Sequence, residues 1–234
     1  MVSKLNKFYQ KHLFIYPNYI INNFFSNFLL LFFFISGYFS LVAEIGVIIS
    51  LTFLICNIFS GNLRSIIIAD KNLELADEML FKRILLSIPI ILIVIFFIFK
   101  NNLSDISLAL ATSILVLLGW IFELMLTKFE LNKRIKSLRF HAFFSIIFMI
   151  VIFFFGLSKN LFFMKFFIYL YLIFLSILIL LLIRLNINNF KFIDYHKNFF
   201  RDLFKTNYIS SLSISLSNFL FRYFIAYTDI FLTS

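Results

Sequence analysis

Seven apolar stretches divide this chain, and its basic residues lie almost wholly in alternate gaps between them. The stretches run Tyr19 to Tyr38, Ala43 to Leu63, Ile84 to Phe99, Ile106 to Thr127, Phe140 to Leu157, Phe166 to Ile183 and Tyr208 to Thr228. Of the 21 Lys and Arg residues, 17 precede the first stretch or follow the second, fourth and sixth. Lys100, Lys159 and Lys165 occupy the other gaps, and Arg222 lies inside the seventh stretch. Cytoplasmic loops of membrane proteins are enriched in Lys and Arg. This distribution therefore predicts an N-terminus and long loops in the cytoplasm, with the seventh span ending outside.

With 62% apolar and 14% charged residues and a mean hydropathy of +1.02, the 234-residue chain has too little polar surface to cover a water-facing domain. A helix rising about 1.5 Å per residue needs roughly 20 residues to cross a hydrocarbon layer about 30 Å thick. The stretches are near that length, and helices satisfy their own backbone groups in lipid, so an all-α polytopic bundle of about seven spans is expected. The net charge of +10 is explained by topology, and nucleic acid is not an expected partner; the bilayer is. The first apolar run is too long for a cleaved signal and reads as a signal-anchor. Cys56 is the single cysteine, which excludes an intrachain disulfide or a thiolate metal cluster.

Residues 1–17 alternate Leu5, Phe8, Tyr9, Leu13 and Tyr16 with Lys4, Lys7 and Lys11, the pattern of an interfacial amphipathic helix. Between Arg64 and Arg83, Leu73, Ala76, Met79 and Leu80 alternate with acids and Lys71, which predicts a short surface helix. Pro89 is expected to kink or unwind the third span.

Polar residues inside apolar helices carry the functional signal. In the seventh span Ser211, Ser215, Asn218, Arg222 and Asp229 share one face. A charge at mid-bilayer costs roughly 2.5 to 3.5 kcal/mol on insertion scales, so that face should meet a wet cavity or neighbouring helices. Close helix packing through the serines, with Arg222 snorkelling to the interface, fits the same stripe. The first span repeats the theme with Asn18, Asn22 and Ser26, and with Asn23 and Asn27 beside them. Glu123 falls one turn from the inner end of the fourth span, where it either reaches the interface or pairs with Lys128 or an arginine. Arg64 reads as an inner-end charge or a ligand clamp, and Trp120 as an interfacial anchor. The three histidines, His12, His141 and His196, lie at inner edges and read as interfacial. No GxxxxGK[ST] or HExxH motif occurs, and the acids form no DDxxD-type cluster, so no catalytic residue, metal or cofactor is assigned and the chain is not read as an enzyme.

The basic start, the polar first span, the segment Ser60 to Asp70 reading SGNLRSIIIAD, the run Phe81-Lys82-Arg83 and the Ser-rich seventh span resemble the N-terminal half of bacterial oligosaccharide flippases. These form the polysaccharide branch of the multidrug/oligosaccharidyl-lipid/polysaccharide exporter superfamily. The resemblance implies a two-lobed exporter of the inner membrane, built from parallel repeats. Here residues 1–17 would be the interfacial helix, 18–207 a six-span lobe and 208–234 the start of a truncated second lobe. It further implies passage of a polyprenyl-diphosphate-linked oligosaccharide to the outer leaflet for surface polysaccharide synthesis. The missing lobe and other polysaccharide assembly proteins would be its partners. On that basis Arg222 and Arg64 are expected to meet the diphosphate, Asn22, Ser26 and Asn218 the sugars, and Glu123 a coupling proton or sodium ion. An integral-membrane glycosyltransferase or polymerase, and the permease subunit of an ABC exporter, are the alternatives.

Overall fold

A computed structural model describes residues 18–22, 25–60, 63–71, 73–101, 103–132, 135–186 and 208–232. The interfacial helix expected over residues 1–17, with His12 and His196, lies outside the described residues. All regular structure among the described residues is helical. We number the helices α1 (residues 18–22 and 25–35), α2 (Phe39–Ser60), α3 (Leu63–Asp70), α4 (Leu73–Lys100), α5 (Ile106–Leu131), α6 (Ile135–Leu157), α7 (Leu161–Asn186) and α8 (Tyr208–Leu232). Among the described residues five are long and apolar enough to cross a membrane: α2, α4, α5, α6 and α7.

The exterior is apolar, unlike that of a water-soluble bundle, and it covers a core that is itself mostly apolar with hydroxyls set into it. Phe96, Phe154, Phe162 and Phe224 are exposed, whereas Asn18, Thr52, Thr112, Ser113, Thr127, His141 and Ser145 are buried. Apolar rings outside and hydroxyls inside suit a lipid solvent, and this is the construction of a multi-pass membrane protein. Several of the inner hydroxyls need no partner from another helix. Ser50 donates to the Gly46 carbonyl, Thr52 to Ile48, Ser60 to Cys56, Thr112 to Leu108 and Thr127 to Glu123, each four residues back. Their polarity is absorbed by their own helix, which leaves them free to serve as small packing residues.

Helix α5 is the hub. Its most apolar window is 78% buried, against 22% for α4 and 28% for α6 and α7. Helix α4 lies along it, α2 and α7 flank it, and α8 packs lengthwise on α2. Helix α4 runs unbroken through Pro89, so neither unwinding there nor a separate surface helix is found. The amphipathic segment before Arg83 is the N-terminal end of α4 itself. Its buried positions Ala76, Met79, Leu80, Arg83, Ile90, Val94 and Ile98 keep one helical spacing throughout.

Two helix hairpins close with the same local chemistry. After α1, the Gly37 amide bonds the Phe34 carbonyl and the Tyr38 amide bonds Phe33, with Gly37 at φ +84°. After α6, the Lys159 amide bonds Gly156 and the Asn160 amide bonds Phe155, with Lys159 at φ 53°. Both are Schellman turns, the second holding a lysine in the left-handed region at a cost of roughly 1 to 2 kcal/mol. The Tyr38 hydroxyl donates to the Lys159 carbonyl at 2.7 Å and ties the two turns together. Below them Gly156 is required for contact, because a Cβ there would meet Ser36 Oγ at 2.8 Å.

Asp105 starts α5 by accepting from the Leu108 amide at 3.1 Å and the Ser107 hydroxyl at 2.8 Å, and it pairs with Lys165 of α7. Burial alone would raise its carboxyl. The bonds from Lys165, Leu108 and Ser107 outweigh burial and hold it below the ordinary aspartate range. A depressed carboxyl stabilises the fold above its unfolded value near 3.9 and loses that contribution as pH falls through the folded value. Thermal unfolding in detergent should therefore show wild type losing its advantage over Asp105→Asn only below about pH 4. An advantage lost already near neutrality would contradict this junction.

Candidate functional site

Two polar assemblies sit within the bundle, one beneath α8 and one along the C-terminal half of α5. The first centres on Arg222. The arginine stem passes Gly46 of α2, and a Cβ built there would meet its Cδ in ordinary contact at 3.9 Å. The guanidinium reaches past it, donating to the Gly46 carbonyl at 3.4 Å and to Asn27 Oδ1 of α1 at 3.1 Å. Among the described residues no carboxylate lies within ion-pair distance of Arg222. One helix thus presents an uncompensated cation over a seam between α1 and α2, held by two neutral acceptors. Ser215, further along the same face, accepts from Asn57 Nδ2 of α2 and is buried, while Asn218 lies exposed at the edge of that face. The side chains of Ser211 and Asp229 lie outside the described ones.

The second assembly is ionic and balanced. Arg83 of α4 is 3% exposed, bonds both the Trp120 carbonyl and Glu123 of α5, and stacks on the Trp120 ring at 4.8 Å. Lys128 of α5 pairs with Asp77 of α4. Arg64 of α3 pairs with Glu130 at 3.3 Å and lies over the Tyr19 ring at 3.4 Å, while the Tyr19 hydroxyl meets Thr127 at 3.1 Å. Each pair joins α5 to another helix, and the charges of these three pairs cancel. Such an arrangement fixes helix register and has no net charge to offer a ligand. Asn22 of α1 joins the same helix by donating to the Gly119 carbonyl at 2.9 Å. Glycine 119 permits this approach, since a Cβ there would meet the Asn22 carbonyl at 3.4 Å.

The residues singled out from sequence therefore separate. Arg222 lies beside Asn27 with no acid partner among the described residues, and Asn218 is exposed on α8. Arg64 and Glu123 are engaged in ion pairs, Asn22 is bonded to α5, and Ser26 is buried in α1. Sequence reasoning passed over three residues. Arg83 looks like a loop charge until its place in the apolar period of α4 is noticed. Asn27 follows Ser26 and was read only as a neighbour of the stripe. His141 is 1% exposed and so is not interfacial.

Comparison with protein-family models, with curated proteins and with solved structures finds no match.

Proposed function

We propose that the protein is a membrane transporter that moves a polyprenyl-diphosphate-linked oligosaccharide from the inner to the outer leaflet of a bacterial cytoplasmic membrane. In this reading the chain crosses seven times from a cytoplasmic N-terminus. The spans before α8 form one lobe of a two-lobed exporter, and α8 opens the second. The observation that carries the reading is Arg222, a cation of an apolar helix with no acid in ion-pair distance among the described residues, held by neutral acceptors on α1 and α2. An intramembrane charge so exposed to replacement by a ligand is expected where an anionic substrate passes. A diphosphate offers several oxygens to the planar guanidinium fork, and its lipid tail remains in the bilayer that the exposed phenylalanines already face. Asn27 and Asn218 then lie where amide groups can meet sugar hydroxyls. Arg64 fits the substrate role less well, because Glu130 neutralises it.

The test is translocation of a fluorescent polyprenyl-diphosphate oligosaccharide by the protein, expressed from its complete reading frame and reconstituted in liposomes. Transport driven by an ion gradient supports the proposal. Transport requiring an ATPase partner would favour the permease alternative, and elongation of the glycan the polymerase alternative; either would overturn it.

A further inference from the structure

A third polar group lies apart from both assemblies, at the junction of α1, α6 and α7. His141 Nδ1 is 2.8 Å from Asn18 Oδ1, His141 Nε2 is 3.3 Å from Ser145 Oγ, and Ser145 Oγ is 3.1 Å from the Tyr171 hydroxyl. All four side chains are buried, with the imidazole against the Phe122 ring of α5 at 4.5 Å and Tyr171 stacked on Phe25 at 4.1 Å. For a neutral ring, with the Asn18 oxygen turned toward Nδ1, the donors and acceptors leave one order. An amide oxygen accepts only, so Nδ1 carries the proton and Nε2 keeps its lone pair. The Ser145 hydroxyl then donates to Nε2, and Tyr171 donates to Ser145. In this order the ring is neutral, with its basic nitrogen turned toward a hydroxyl chain.

Among the described residues its surroundings hold no compensating charge. From α1 it meets Asn18, from α5 Phe122, from α7 Tyr171 and from its own helix Ser145. The next acid on α5, Glu123, is committed to Arg83; Tyr19 on α1 is committed to Thr127 and Arg64; Arg139 of α6 is exposed. Among the described residues no acid pairs with the ring. A neutral imidazole suits this junction, whereas an imidazolium there would be a buried unpaired charge, tolerated only if water enters.

The geometry points to His141 as a proton-binding site whose occupancy hydrates and loosens the α1–α6–α7 junction. Hydroxyls and amides joining three helices would be explained by packing alone, but packing has no use for a basic nitrogen whose single partner is a serine that can equally accept. Ser145 can turn its hydrogen toward a backbone carbonyl and receive Nε2–H instead, so the chain accommodates the proton without losing Tyr171. This site stands whatever cargo the bundle carries.

The test uses the full chain in lipid nanodiscs with 15N-labelled histidine, His141 being assigned by the signal lost in His141→Gln. At neutral pH the ring should give the neutral, Nδ1-protonated signal. On acidification it should take a second proton, and amide exchange in α1 and the inner turns of α6 should lose protection over the same interval, after correction for intrinsic rates. Asn18→Asp, which preserves shape and supplies a carboxylate, should give the doubly protonated signal already at neutral pH. An Nε2-protonated neutral ring, protonation without loss of protection, or a neutral ring in Asn18→Asp would each overturn the assignment.

Discussion

Replacing Arg222 with Gln should lower transport of a lipid-linked diphosphate by roughly 10- to 100-fold while the protein still folds and inserts. A hydrogen bond to a charged group contributes about 1.5 to 3 kcal/mol, and each 1.4 kcal/mol is a factor of ten. Loss of the cation removes that contribution from every state in which the diphosphate touches it. The fold is spared because the groups that Arg222 leaves behind, the Gly46 carbonyl and the Asn27 amide, are neutral, and the carbonyl retains its bond from Ser50. Arg222→Lys should fall between, keeping the charge and losing the planar fork. Arg64→Gln should cost transport less than Arg222→Gln, because Glu130 already compensates that charge. Initial rates in proteoliposomes, normalised to inserted protein, check this order. Equal loss in Arg64→Gln and Arg222→Gln would detach the uncompensated cation from substrate handling.

The second large effect falls on stability. Glu123→Ala strands Arg83, which is 3% exposed, without its carboxylate in the interior of the bundle. Removing one partner of a buried pair costs about 3 to 5 kcal/mol, whereas replacing both by apolar groups of similar volume is often neutral. Thermal unfolding in detergent should therefore show Glu123→Ala strongly destabilised and the double variant Arg83→Met with Glu123→Leu largely restored. The double variant also isolates the ion-coupling role expected for Glu123. If it is stable and still transports against a gradient, the carboxylate serves structure alone. If it is stable and uncoupled, the pair does both.

The spans were legible because lipid imposes length and apolarity on each helix separately, so α2, α5, α6 and α7 could be read without knowing their neighbours. The start of α4 was not legible in that way. Charged Asp77, Glu78, Lys82 and Arg83 break the apolar run, and only their partners explain why the helix continues through them: Asp77 meets Lys128 and Arg83 meets Glu123 on α5, while Lys82 and Glu78 pair one turn apart within α4. The same limit applies to His141. Sequence puts it near an inner end, but its burial depends on Asn18 and Tyr171, which lie on helices distant in the chain. Arg222 was visible from its spacing on α8. That it meets Asn27 and Gly46, with no acid in ion-pair distance among the described residues, follows from tertiary packing alone.

The account as a whole rests on the threading of the chain, with its basic segments on the cytoplasmic side. Single cysteines placed in a Cys56→Ser background at the exposed positions Ser40, Ser158, Asp70 and Asn132 test this directly, using a membrane-impermeant maleimide on intact cells. Ser40→Cys and Ser158→Cys should react from outside, and Asp70→Cys and Asn132→Cys only after the membrane is opened. Reaction of Asp70→Cys or Asn132→Cys in intact cells, or protection of Ser40→Cys and Ser158→Cys until lysis, would contradict it.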